Sequence, residues 1–131
     1  MILVSGDIIG TNQKYRVKGQ VFCPSEPAKA NNVLIKLIDD DTGPDPDDVL
    51  AEGRTQADHE GQFDLTGTEN EATRIDPELH IFHDCLDGVT PCQRRMRIKL
   101  PKAYIDQPEG LDMGRINLEL EYDDERRNCI H

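Results

Sequence analysis

Six aspartates fall within the ten residues Asp39-Asp40-Asp41-Thr42-Gly43-Pro44-Asp45-Pro46-Asp47-Asp48. Carboxylates at that density suit Ca²⁺, a hard cation that takes about six to eight oxygen ligands from a flexible loop. Asp39, Asp41, Asp45, Asp47 and Asp48 are the candidate ligands, although their spacing is not that of an EF-hand. The plainer alternative is a solvated acidic loop, because blocks of like charge repel. A bound cation would leave coordination positions for phosphate or carboxylate oxygens, so an acidic protein could hold an anionic lipid headgroup. That use is an analogy with other sandwiches that bind lipid through Ca²⁺. The opposite chemistry lies further along the chain. Gly88 to Ile105 contains no acid, and Arg94, Arg95, Arg97 and Lys99 sit close together there, with Lys102 just beyond. Phosphate or an acidic protein patch would suit them. Against this stands the common use of charge on a strand to discourage edge pairing.

Four cysteines, Cys23, Cys85, Cys92 and Cys129, occur in 131 residues. An even count in a small chain indicates disulfides and an oxidising compartment. No CxxC and no paired Cys/His spacing reads as a zinc site. Of the possible pairings, Cys85–Cys92 closes a short loop across Gly88 and Pro91, which leaves Cys23–Cys129 to tie an early strand to the tail. An oxidising compartment implies export, and Met1-Ile2-Leu3-Val4-Ser5 is too short for an apolar signal core. The sequence therefore reads as a mature, secreted chain. Enzyme chemistry finds little support. His59, His80, His83 and His131 lack a recognisable partner motif, and there is no Gly-rich phosphate loop, Gly-x-Ser-x-Gly or His-Glu-x-x-His.

The charge distribution limits the partners. The chain carries −11 overall, yet residues 39–78 alone carry −12, from 14 acids and two bases. Unaided attraction to nucleic acid or to a bare anionic membrane is excluded, since both are polyanions. Nor does any run approach the roughly 18 apolar residues of a membrane span. A dimer held between the acidic and basic regions of two copies remains open, and salt would weaken it.

The elements that must position these groups have a period of two. Tyr15, Val17, Gly19, Val21 and Cys23 alternate with polar residues, as in a half-buried antiparallel strand. Val33–Ile38 reads as a second strand, and Val49–Thr55 as a short third or as one helical turn. Phe63 and Leu65 alternate with Asp64 and Thr66 after a turn at His59–Gln62. Pro77 opens a strand that runs to Cys85. Met96, Ile98 and Leu100 alternate with Arg95, Arg97 and Lys99, and Ile116, Leu118, Leu120 and Tyr122 form the last run. No window of useful length has a helical period. Such a pattern predicts an all-β antiparallel sandwich or open barrel of about seven to eight strands. It predicts one domain over residues 1–131, with 1–12 as a loose N-terminal segment.

These residues also carry a resemblance. Val17-Lys18-Gly19-Gln20-Val21-Phe22-Cys23 followed by Asn32-Val33-Leu34-Ile35-Lys36-Leu37 resembles the opening of the nematode transthyretin-like family. Asp58-His59-Glu60-Gly61-Gln62-Phe63, Ile75-Asp76-Pro77 and Leu79-His80-Ile81-Phe82-His83-Asp84-Cys85 follow in order. Then come Cys92 with Arg94, Ile98-Lys99-Leu100-Pro101 with Tyr104-Ile105, and the late Cys129. The resemblance implies a transthyretin-like fold, secretion, a cysteine arrangement that agrees with the pairing above, and no catalytic activity. It implies one concrete role, an adaptor that bridges phosphatidylserine on apoptotic cells to a cell-surface receptor on a phagocyte, where a homodimer would strengthen weak headgroup contacts. The alternative is a carrier of a small apolar ligand. A hydroxyisourate-type hydrolase is the least supported, because its Tyr-Arg-Gly-Ser-type tail is absent from Asn128-Cys129-Ile130-His131.

Overall fold

The computed structural model describes residues 11–40, 47–88, 92–121 and 125–128. Among them, eight strands form two sheets. They are β1 (Thr11–Phe22), β2 (Leu34–Asp39), β3 (Asp48–Arg54), β4 (Gln62–Glu71), β5 (Pro77–His83), β6 (Gln93–Lys99), β7 (Leu111–Asn117) and β8 (Arg126–Asn128). One sheet has the order β4-β1-β7 and the other β3-β2-β5-β6-β8. All pairings are antiparallel except β1 with β7. The result is a sandwich, the first of the two architectures that the alternation predicts. Thr11 and Asn12, expected to be loose, begin β1.

The sandwich forms because each sheet is apolar on one parity. Tyr15, Val17 and Val21 of β1 face Ile35 and Leu37 of β2, Leu79 and Ile81 of β5 and Met96 of β6, all buried in one cluster. The low aromatic content leaves the core to branched aliphatic residues, which pack well on a pleated surface. Tyr15 is completely buried, and its hydroxyl donates to the Pro101 carbonyl oxygen at 2.8 Å, so the polar tip is satisfied. Burial, followed by the nearby Tyr104, pushes its pKa up to about 12. Thr55 closes the start of β2, donating to the Ala30 carbonyl at 2.6 Å and accepting from the Val33 N–H at 3.0 Å.

Two expectations need correction. The last alternating run was expected to form a strand over Ile116–Tyr122, but β7 covers Leu111–Asn117 and residues 118–120 turn away. Parallel pairing with β1, from Val17↔Leu111 to Phe22↔Asn117, sets those limits, and the alternation beyond 117 has no strand to pair with in this sheet. The disulfides also differ. Cys23 is bonded to Cys85, so neither Cys85–Cys92 nor Cys23–Cys129 can form. Cys23 follows β1 and Cys85 follows β5, and these strands lie in opposite sheets with their inner faces together. Both sulfurs are therefore buried at one end of the same core. Cys92 is also disulfide-bonded, whereas Cys129 lies outside the described residues.

The Cys23–Cys85 bond staples the two sheets across 62 residues of sequence. Replacing both cysteines by alanine removes about 4 kcal/mol in the chain-entropy model, read as a lower midpoint in denaturant. Digestion without reduction should release one cross-linked species holding both cysteines. Recovery of Cys85 linked to Cys92 would overturn this assignment.

Candidate functional site

The inner parity of each sheet outlasts the apolar core. On β2 the inward row is Ile35, Leu37 and then Asp39, and on β4 it is Leu65, Gly67 and then Glu69 and Glu71. Asp39 pairs with Asp48 across the β2–β3 ladder. One carboxylate oxygen from each of Asp39, Asp48, Glu69 and Glu71 lies within 4.8 Å of the other three. A Ca²⁺ ion with ligands at about 2.3–2.6 Å spans opposite oxygens by about 5 Å, so this spacing matches one shared cation.

Backbone contacts hold the rim in place. Gly67 admits Leu50 of β3 against β4, because a Cβ at Gly67 would stand 2.6 Å from the Leu50 carbonyl oxygen. That approach brings Asp48 down to Glu69. Gln13, opposite Glu69 in the β1–β4 ladder, donates to the Thr73 carbonyl at 2.7 Å and accepts from the Ile75 N–H at 3.0 Å. Asp39 is buried and accepts from the Asp76 N–H at 2.8 Å. The segment entering β5 is thus fastened to the same end of the sandwich.

Burial and like charge act together on the carboxylates at this end. Glu69 is pushed up to about 7, first by burial and then by the Asp48 carboxylate beside it, and its Oε2 is buried with no hydrogen-bond partner. On the outer side of β2 a second acidic group forms. Glu78 is also pushed up to about 7, again first by burial and then by Asp40, with Asp47 adding to the effect and Arg97 opposing it. Its Oε1 lies 3.0 Å from His80 Nε2 and 3.7 Å from Arg97 Nε. His80 is lowered to about 4, chiefly by burial and then by Arg95 and Arg97.

The aspartate segment therefore divides. Asp39 and Asp48 enter the four-carboxylate rim, Asp47 acts on Glu78, and Asp41 and Asp45 lie outside the described residues. Glu69 and Glu71 escaped the sequence reading, although Leu65-x-Gly67-x-Glu69-x-Glu71 already placed them on the core parity. The basic group divides as well. Arg95, Arg97 and Lys99 share the outer parity of β6, but Arg94 belongs with Met96 on the inner one. Its guanidinium is buried and donates to the carbonyls of Cys85, Leu118 and Leu120 and to both oxygens of Glu125. Arg94 is an internal anchor, which corrects its expected role in meeting a partner.

His83 is buried among these groups, lowered to about 4 by burial and by Arg94, and accepts from the Cys85 N–H at Nδ1. Elsewhere, an open hollow of about 570 Å³ is lined partly by Val21, Phe22, Pro24, Pro27, Ala28 and Ala30.

Comparison with known proteins agrees with this architecture. A model of the transthyretin-like family matches residues 18–101. Transthyretin-like protein 33 of Caenorhabditis elegans is 46% identical over 123 residues, which are 91% of this chain and 83% of that protein. Transthyretin-like protein 5 of the same organism is 42% identical, over 100% of this chain and 94% of its own length. Among solved structures, a 9R-lipoxygenase from Cyanothece PCC8801 matches 80% of this chain with a TM-score of 0.50 and 21% identity. The chain spans 16% of that structure, and the likeness extends to fold alone.

The shifted groups predict a pH dependence of stability. Glu69 and Glu78, raised to about 7, hold protons in the folded state that the unfolded chain has released. Their contribution is greatest at low pH and is lost as pH rises through about 7. His80 and His83, lowered from 6.5 to about 4, cost stability as pH falls through that interval and cost none above it. With chelator present, the melting temperature should therefore fall between pH 6.5 and about pH 8, and Glu69→Gln should flatten the slope. A wild-type melting temperature that rises across this window would contradict the assignment.

Proposed function

The chain belongs to the transthyretin-like family, and from that premise we propose that it is a secreted, non-enzymatic binding or adaptor protein. In this reading the rim formed by Asp39, Asp48, Glu69 and Glu71 takes Ca²⁺. The ion then bridges to an anionic lipid headgroup such as phosphatidylserine on an apoptotic cell. The rest of the surface is left to meet a receptor on the phagocyte. The clustering of four carboxylate oxygens within 4.8 Å carries the proposal.

The chemistry is consistent with that role. Two carboxylates come from each sheet, so a cation would neutralise a repulsion that the packing otherwise has to bear. A bound Ca²⁺ needs more than four oxygens, and the remaining positions would accept headgroup phosphate or carboxylate oxygens. The lipid would then add the ligands that the protein lacks. A second copy would raise the strength of a weak contact through effective concentration. The disulfides suit an extracellular setting, and no described helix is long and apolar enough to cross a membrane. The partly apolar hollow of about 570 Å³ favours a second reading, a carrier of a small apolar ligand.

Calorimetry should show Ca²⁺ uptake that weakens as pH falls below about 7, because Glu69 must lose its proton to bind. Asp48→Asn with Glu69→Gln should abolish it. Phosphatidylserine vesicles should retain the wild type in Ca²⁺ but not in chelator, and should not retain the double variant. Absence of Ca²⁺ uptake would remove the cation site. Uptake without vesicle retention would remove the lipid role and leave the site.

A further inference from the structure

The ladders place a second charged surface opposite in sign to the rim. Residues directly paired across strands share a face, so the outer face of the five-stranded sheet can be read row by row. One row is Arg54–Leu34–Phe82–Arg95–Arg126, and the next is Glu52–Lys36–His80–Arg97. A third pairs Ile38, Glu78 and Lys99. Six cations from four strands therefore share one face with two acids of the ladders, and Asp40 and Asp47 reach its edge beside Glu78. At a strand spacing of about 4.8 Å, the face from β3 to β8 is about 19 Å wide.

The apolar members of these rows are covered. Leu34, Ile38 and Phe82 are 3–4% exposed and stand outside the core cluster, on the other side of the sheet. Their cover on this face includes the long basic side chains. Lys36 Nζ lies 5.5 Å from the centre of the Phe82 ring, and Arg97 reaches toward Glu78. Lys36, Arg95 and Arg97 are half-buried, as long side chains lying along a sheet are, and Arg95 Nε is itself buried. Arg54, Lys99 and Arg126 are exposed at its margins.

We propose that this face is a binding surface for a linear sulfated polysaccharide. A lattice of cations fits repeated anionic groups, and guanidinium matches sulfate oxygens in pairs. An extended anionic bilayer fits less well, because it would also meet the acidic remainder of a −11 protein, whereas a thread touches one face. With Phe82 buried, no described residue of these rows offers an exposed aromatic ring on which a nucleic-acid base could stack. An oxidising, extracellular compartment is where such polysaccharides occur. The surface is separate from the carboxylate rim and needs no Ca²⁺.

The test is retention on immobilised heparin in chelator at about 0.15 M salt. The wild type should be retained and should elute at higher salt. Arg54→Ala, Lys99→Ala and Arg126→Ala should each weaken solution binding by about two- to fivefold. The triple variant should elute earlier, and its affinity should depend less steeply on salt. Lys14→Ala and Lys29→Ala, away from this face, should change nothing. Because all three test positions are exposed, circular dichroism of the triple variant should match the wild type. Failure of the wild type to bind, or equal loss in the Lys14 and Lys29 variants, would overturn the proposal. So would stronger chelator-resistant binding to phosphatidylserine vesicles or duplex RNA than to heparin. None of these results bears on Ca²⁺ uptake at the rim.

Discussion

Burial of the two inner rows against each other is the constraint from which the other features follow. Tyr15, Val17 and Val21 can leave water only by facing Ile35, Leu37, Leu79, Ile81 and Met96. Once they do, a period of two fixes the face of every neighbour. Arg95 and Arg97 must stand outside because Arg94 and Met96 are inside. Glu69 and Glu71 must point into the gap between the sheets because Leu65 does. A one-residue slip in β6 would exchange the anchor Arg94 with the surface Arg95, which is why register matters to charge here as much as to packing. The Cys23–Cys85 bond restrains the same two rows at one end, and the Arg94 guanidinium gathers the carbonyls that follow them.

Much of this was legible in the alternation, and the failures share a physical cause. β1, β2, β5 and β6 were readable because apolar residues recur at a spacing of two within each or just beside it, as in Val33-Ile35-Leu37 and Met96-Ile98-Leu100. The boundary of β7 was not, since Leu118 is buried without belonging to a strand, and local pattern cannot distinguish burial in a turn from burial in a ladder. The disulfides were misread because a short loop seemed easy to close. Distance along the chain says little about two cysteines that follow facing strands. Glu69 and Glu71 lacked the density that drew notice to the aspartates. They matter because Gly67 lets a second strand approach, and that contact exists only in three dimensions. Arg94 is the instructive case, as its parity with Met96 and Ile98 was visible and was outweighed by its position next to Arg95.

The same reasoning revises the meaning of the net charge. A value of −11 describes a uniformly repellent surface only if charge is uniform, and the fold separates it. Acids at residues 39, 48, 69 and 71 converge where the sheets part, while bases from β2, β3, β6 and β8 converge on the outer face of one sheet. Neither group can neutralise the other directly, because β2 carries Asp39 inward and Lys36 outward.

Glu78 is the point where the two fields meet. It stands on the basic face beside His80 and Arg97, yet Asp40 and Asp47 from the acidic side press on it. With its carboxyl pushed up to about 7 and His80 lowered to about 4, the pair holds its proton mainly on Glu78 near neutrality. A 3.0 Å contact between His80 Nε2 and Glu78 Oε1 joins the two groups. A protonated Glu78 adds nothing to oppose Arg95, Arg97, Lys36 and Lys99, so the face is most positive on the acid side of neutrality. The carboxylate rim moves the other way, because protonation of Glu69 weakens it as a cation ligand over the same interval. One modest fall in pH would thus strengthen the basic face while weakening the acidic rim, and the two surfaces need not be active under the same conditions.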